Sequence, residues 1–186
     1  MTINTKAVMT VAELMSLAAR TAPKAKGVDT ILVHILTGKE IQAVSNHLAE
    51  TGERRRIGFF VRDSKNIRAC DACVVIGAKG QSVAGINCGA CGYPSCEELT
   101  RECKKRKDRT TDFSGPNCAM RMTDLGIALG SAVKTAQIHN VDNRIMFSAG
   151  TAALDLGLLG KDCSVAYAIP LSVTGKNIFF DREPVK

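Results

Sequence analysis

A chain of 186 residues with 45% apolar and 23% charged residues is long enough to bury one sizeable core and too apolar for a disordered tail. Eight cysteines behind an N-terminus without the marks of a secretory leader exclude a disulfide-built miniprotein, and no apolar run approaches the ~20 residues that cross a bilayer. The net charge of +7 admits an anionic partner, but 4% aromatic residues and no tryptophan leave little for base stacking and argue against nucleic acid.

The first predicted element is a helix over 8–20, where Val8, Val11, Leu14, Met15 and Ala18 fall at helical spacing before Pro23. A β-branched apolar run predicts a buried strand over 30–36. Helical spacing returns over 39–51 through Ile41, Val44 and Leu48, closed by Gly52. Residues 57–61 read as a second strand, with Asp63 or Ser64 capping a short helix to Arg68. A third strand is expected over 73–76.

From Gly77 the pattern changes to glycine, small residues and cysteine without lasting periodicity. A basic helix follows over 95–107, then a polar loop over 108–117 containing Gly115-Pro116. A long helix starts at Cys118 or Met120 and runs to about Ile138, with Gly126 and Gly130 leaving room for close helix approach. A helix over 151–158, a strand over 164–169 and a terminal strand or arm over 178–180 complete the reading. The expected architecture is α+β with α/β-like alternation. It is one domain over 1–186, with 77–117 as a metal-binding insertion.

The chemistry concentrates in Asn87-Cys88-Gly89-Ala90-Cys91-Gly92-Tyr93-Pro94-Ser95-Cys96, a C-x2-C-x4-C array. The glycines let the backbone turn and aim N–H groups at bound sulfur. Cys96 opens a predicted helix, whose positive end favours a thiolate or an anionic cluster. An all-cysteine iron–sulfur cluster needs a fourth ligand, from Cys103 or Cys118. Cys103 lies seven residues beyond Cys96, or ~10.5 Å along a helix axis, an awkward separation for one compact cluster. Cys118 follows a Gly-Pro turn and can return to the site. Spacing leaves structural zinc open as the alternative, although a close triplet with one remote cysteine is unlike the paired C-x2-C knuckles common at zinc.

The segment 87–96 is similar to the four-iron ferredoxin-like motif of corrinoid iron–sulfur proteins and of cluster-bearing subunits in membrane electron-transfer complexes. More widely, the chain resembles a prokaryotic family of small ferredoxin-domain proteins. The residues that carry this are Arg62-Asp63, the 87–96 motif, Gly115-Pro116-Asn117-Cys118, Asp124-Leu125-Gly126-Ile127-Ala128 and Asn177-Ile178-Phe179-Phe180-Asp181-Arg182. The resemblance implies a [4Fe-4S] cluster on Cys88, Cys91, Cys96 and Cys118.

A second resemblance concerns the scaffold. Residues 14–38, with Ala22-Pro23 before the first strand, look like the opening of nitroreductase-type flavoproteins. Residues 124–136, Leu156-Gly157-Leu158 and 166–170 look like their later half. That implies a nitroreductase-like sheet with flanking helices, in a homodimer with FMN at the subunit interface. The basic N-terminal motif that holds flavin phosphate is absent, and Lys24 and Gly27 stand where the family has Ser and Asn. Lys24 and Lys176 are the candidates for phosphate charge instead.

Other features have plainer readings. Cys70 and Cys73 precede a strand rather than a helix, so they read as buried small residues and not as a thioredoxin-like pair. A second metal site from Cys70, Cys73, Cys103 and Cys163 is open by arithmetic alone. Arg101, Lys104, Lys105, Arg106, Lys107 and Arg109 form a basic run suited to favouring a reduced cluster or docking an acidic electron donor or acceptor. Gly38-Lys39 and Gly175-Lys176 lack the glycine spacing and following hydroxyl of a phosphate loop. The sequence therefore points to a cytoplasmic iron–sulfur redox protein, an electron carrier or an FMN-linked oxidoreductase. The alternative is a non-enzymatic binding module with a structural cluster or zinc.

Overall fold

Four strands pair in one antiparallel sheet: β1 (Ile31–Leu36), β2 (Ala72–Ala78), β3 (Asp142–Asn143) and β4 (Val165–Ser172), in the order β1-β2-β4-β3. The structure is a computed structural model and describes residues 3–105 and 109–181. Its helices are α1 (Ile3–Thr21), α2 (Gly38–Arg55), α3 (Gly58–Ala69), α4 (Cys96–Lys105), α5 (Ala119–Ile138) and α6 (Phe147–Asp155), with a 3-10 turn at Ala25–Gly27. This is the α+β arrangement expected from the sequence, with the cysteine-rich segment between β2 and α5.

The sheet is covered on both faces, and β2 shows why. Ala72, Val74, Ile76 and Ala78 pack with α1 and α5, while Cys73 and Val75 pack on the side of α2, α3 and α6. All seven β2 residues are buried, so the strand reads as a continuous apolar run rather than an alternating one. Glycines let the layers close. A Cβ on Gly150 would strike the Ala166 carbonyl of β4, and one on Gly52 would lie 2.8 Å from Val61 Cγ2.

The register defines two ends of the sheet. Ile31 pairs with Ala78 and Ala78 with Val165, while Leu36 pairs with Cys73 and Cys73 with Pro170. Because the cysteine segment leaves β2 after Ala78, it occupies the first of these ends.

Several elements differ from expectation. Residues 57–61 are not a strand but the start of α3, whose buried Phe60, Asp63, Ser64 and Ile67 mark one helical stripe. A short apolar run carries no period of its own, so packing against α2 decides. Asp63 is therefore inside the helix and not a cap; it accepts the Ser148 hydroxyl at 2.5 Å and ties α3 to α6. α2 passes Gly52 and ends with Arg56 in the left-handed region, and α6 begins at Phe147 rather than at 151. Gly126 and Gly130 mark no close helix approach among the described residues, of which none lies within 4 Å of a Cβ built on either. Residues 178–180 form a turn. No described helix is long and apolar enough to cross a membrane.

Candidate metal centre

The loop between β2 and α4 is shaped by backbone that ordinary side chains avoid. Gly85, Gly89 and Gly92 have positive φ, as does Asn87 at 47°, a residue type that tolerates this region. Gly92 N–H donates to the Gly89 carbonyl at 2.9 Å, closing the turn between Cys88 and Cys96. Asn87 Oδ1 then accepts the Cys96 N–H at 2.8 Å, and Ser95 Oγ accepts the Glu98 N–H at 3.2 Å. Both bonds satisfy orphan donors at the start of α4.

Cys118 arrives from the other side. It precedes α5, and its N–H donates to the Gly80 carbonyl at 2.8 Å. Gly80 N–H donates to Ser164 Oγ, Ser164 Oγ donates to Asn117 Oδ1 at 2.7 Å, and Asn117 Nδ2 donates to the Ser114 carbonyl. A Cβ on Gly80 would collide with Asn117 Oδ1 and Ser164 Oγ, so glycine is required where the chain leaving β2 passes Cys118.

These two supports bring Cys88, Cys91, Cys96 and Cys118 to the walls of one small pocket, backed by Ala84, Tyr93 and Leu99. Cys88 is exposed, Cys91 and Cys96 are half-buried, and Cys118 is buried. Among the described residues no three His, Cys, Asp or Glu side chains close around a single ion. The Asn87 backbone N–H, hydrogen-bonded to sulfur, lowers the Cys96 thiol below its usual range, and the Ile86 and Gly85 amides and the Lys26 charge add to it. The donor set suits an iron–sulfur cluster: four thiols and peptide N–H groups turned towards sulfur.

A buried ion pair fastens this end of the sheet. Arg121, 2% exposed, donates through Nε to the Ser82 carbonyl and through Nη1 to Asp124 and the Ala25 and Val28 carbonyls. Asp124 Oδ1 accepts the Ala25 N–H at 2.8 Å. One guanidinium thus joins α5, the 3-10 turn and the start of the cysteine loop, and the turn carries Lys26 to the neighbourhood of Cys96. Neither Arg121 nor Lys26 emerged from the sequence. A usable signal was present: an arginine and an aspartate three apart in the first turn and a half of a helix otherwise made of Ala, Met and Thr.

The remaining candidates are placed as follows. Cys103 packs beside Cys118 but donates to the Pro116 carbonyl at 3.4 Å and does not line the pocket. Cys70, Cys73 and Cys163 belong to a different core cluster, on the α2–α3–α6 side. Cys163 packs at Gly77, four residues along β2 from Cys73 and so ~13 Å away, which separates the four residues of the second metal site considered from the sequence. Burial pushes the Cys70 thiol up to about 12, Cys163 up to about 11 and Cys73 well above the usual range. All three stay neutral thiols.

Lys24 and Lys176 do not meet within the chain. Lys24, its side chain 5% exposed, donates to the Ala19, Arg20 and Ala22 carbonyls and so closes the C-terminus of α1. Lys176 follows β4 at the opposite end of the sheet, 72% exposed and paired with Asp181. Of the basic run, Lys105 pairs with Glu102 and Arg109 turns to Asp155 and the Asp112 carbonyl; Arg106 and Lys107 lie outside the described residues.

The chain has relatives among known proteins. Residues 114–182 match the family described as "Uncharacterized protein containing a ferredoxin domain", and residues 84–111 match one described as "Putative Fe-S cluster". A protein of Archaeoglobus fulgidus, described only as uncharacterized, is 44% identical over 176 residues, covering 93% of this chain and 90% of that one. Among solved structures, a BluB-like flavoprotein from Clostridium difficile 630 superposes with TM-score 0.55 and 14% identity, over 95% of this chain and 84% of that one. The NADPH:FMN oxidoreductase from Vibrio harveyi gives TM-score 0.54 and 12% identity, over 95% of this chain and 63% of that one. At such identities the likeness is one of fold.

Proposed function

The chain belongs to the family of uncharacterized proteins containing a ferredoxin domain, and from that premise we propose that it is a one-electron redox protein holding a [4Fe-4S] cluster on Cys88, Cys91, Cys96 and Cys118. The observation that carries this reading is the convergence of these four thiols, from two separately braced segments, on one pocket. When bound, the cluster supplies a reversible one-electron couple. The chain's own part is to hold thiolates in place, present peptide N–H donors to Cys96 and keep Cys118 out of water.

Access favours exchange with a partner at the Cys88 corner. Cys88 is exposed, Ile86 beside it is 47% exposed, and Lys26 supplies positive charge close by. An acidic electron donor or acceptor fits that surface.

Protein purified without oxygen is expected to contain about four irons and as many acid-labile sulfides per chain. Reduction should give an electron paramagnetic resonance signal. Zinc without sulfide would overturn the reading and favour a structural module. An FMN-linked oxidoreductase is the second reading, supported by the likeness to the Vibrio harveyi enzyme's fold. A yellow protein releasing FMN on denaturation would support it. Failure to bind added FMN would leave the chain as an electron carrier alone.

A further inference from the structure

A cleft far roomier than the cysteine pocket, about 410 Å³, lies between the chain leaving β2, the loop entering α5 and the chain entering β4. Small-molecule sites begin at about this size. Its walls are polar rather than apolar: Lys79, Arg109 and Lys161 supply cations, and Ser82 and Ser114 supply hydroxyls. Phe113 lines it too, with its ring held edge-on against Tyr167 at 5.6 Å.

The fold, not chance exposure, brings these groups together. Lys79 follows Ala78 and Lys161 precedes Val165, and Ala78 and Val165 are register partners at the end of the sheet. Ser114 is fixed by its N–H bond to the Ser164 carbonyl at 2.9 Å. Two of the cations are already engaged: Lys79 with Asp162 at 3.0 Å and Arg109 with Asp155. Lys161 is exposed and makes no ion pair among the described residues.

We propose that this cleft binds a phosphorylated small molecule, with Lys161 and Lys79 on the phosphate and Phe113 against the organic part. Three cations and two hydroxyls from separate segments suit a tetrahedral oxyanion with several acceptors, and the volume exceeds that of free phosphate. On binding, Lys79 exchanges Asp162 for the ligand, so Asp162 competes with the anion. The proposal does not depend on the cluster. The cleft nevertheless shares Ser164 and Ser82 with the supports of Cys118 and Arg121, which puts a bound molecule beside the metal centre.

Calorimetry on the full chain, purified without oxygen, tests this with inorganic phosphate, phenyl phosphate and malonate as probes. Saturable one-to-one binding of phosphate is expected, with phenyl phosphate tighter and malonate at least tenfold weaker. The double variant K79Q/K161Q should weaken phosphate by tenfold or more, whereas D162N should tighten it several-fold. All three positions are on the surface, and cluster absorbance is expected to be unchanged in each variant. Absence of saturable phosphate binding at millimolar concentration overturns the proposal. So does binding that K79Q/K161Q leaves untouched, or malonate that binds as well as phosphate. Loss of iron from otherwise normal phosphate binding would count against the cluster reading alone.

Discussion

Cys103 and Cys118 sit side by side in one small apolar cluster, yet only Cys118 faces the pocket. Cys118→Ala is therefore expected to lose most of its iron, while Cys103→Ala keeps iron and sulfide at the level of the parent, as metal analysis after anaerobic purification will read. Lys26 acts through charge alone: Lys26→Met should make the cluster harder to reduce by a few tens of millivolts, measured by potentiometric titration, with unchanged iron content. At Asp112 the effect is one of pH. The Arg55 guanidinium, bidentate on its carboxylate at 2.5 and 3.1 Å, holds Asp112 below the usual carboxylate range. Since the folded-state value is depressed, its contribution is full above the unfolded value and fades as pH falls through the folded one. Both groups are partly exposed, so Asp112→Asn is expected to cost only ~0.5 kcal/mol near neutral pH, and denaturant titrations should converge with the parent in acid. The ligand triplet was legible at this scale because cysteine spacing is local. The roles of Arg121, Asp124 and Lys26 were not, since they depend on a turn and a helix 99 residues apart meeting at one sheet end.

Among the elements, α3 is the helix whose opening residues resemble a strand. Ile57, Phe59, Phe60 and Val61 are good strand residues, and only the later buried positions Ser64 and Ile67, taken with Phe60, reveal a helical stripe. α1, α2, α5, β1 and β2 were legible because each carries its period or its apolar run over many residues; β3, two residues long, offered none. The close seat of α6 on β4 gives a direct test. Gly150→Ala drives a methyl into the Ala166 carbonyl, and it is expected to cost ~1–3 kcal/mol or more in a chemical denaturation curve, whereas Gly126→Ala, which meets nothing in the interior of α5, is expected to stabilise by ~0.5–1 kcal/mol. The buried pair between α5 and the 3-10 turn is costlier to break. Arg121→Met leaves Asp124 buried without its cation and should lose ~3–5 kcal/mol, with faster iron release as the cysteine loop loosens.

At the scale of the molecule, one helical layer remains uncovered. Leu14, Leu17 and Ile127 are exposed on α1 and α5, and Gly126 and Gly130 lie open along the same helix pair. A second copy of the chain is the occupant implied by the resemblance to nitroreductase-type flavoproteins. Light scattering is expected to give twice the chain mass, and Leu17→Glu with Ile127→Glu should halve it while leaving the circular dichroism spectrum intact. A monomeric parent protein would count against this. The scaffold was readable from alternation of elements, but the position of the cysteine segment was not. It follows from register, because β2 delivers Gly80 to the place where α5 begins.

The four cysteines differ sharply in shelter, from exposed Cys88 to buried Cys118. Ageing in air should therefore proceed from the rim inwards. Peptide mass spectrometry over a time course is expected to find sulfinic and sulfonic acids first on Cys88 and last on Cys118. A repair system that restores the centre would meet a damaged rim on an intact floor.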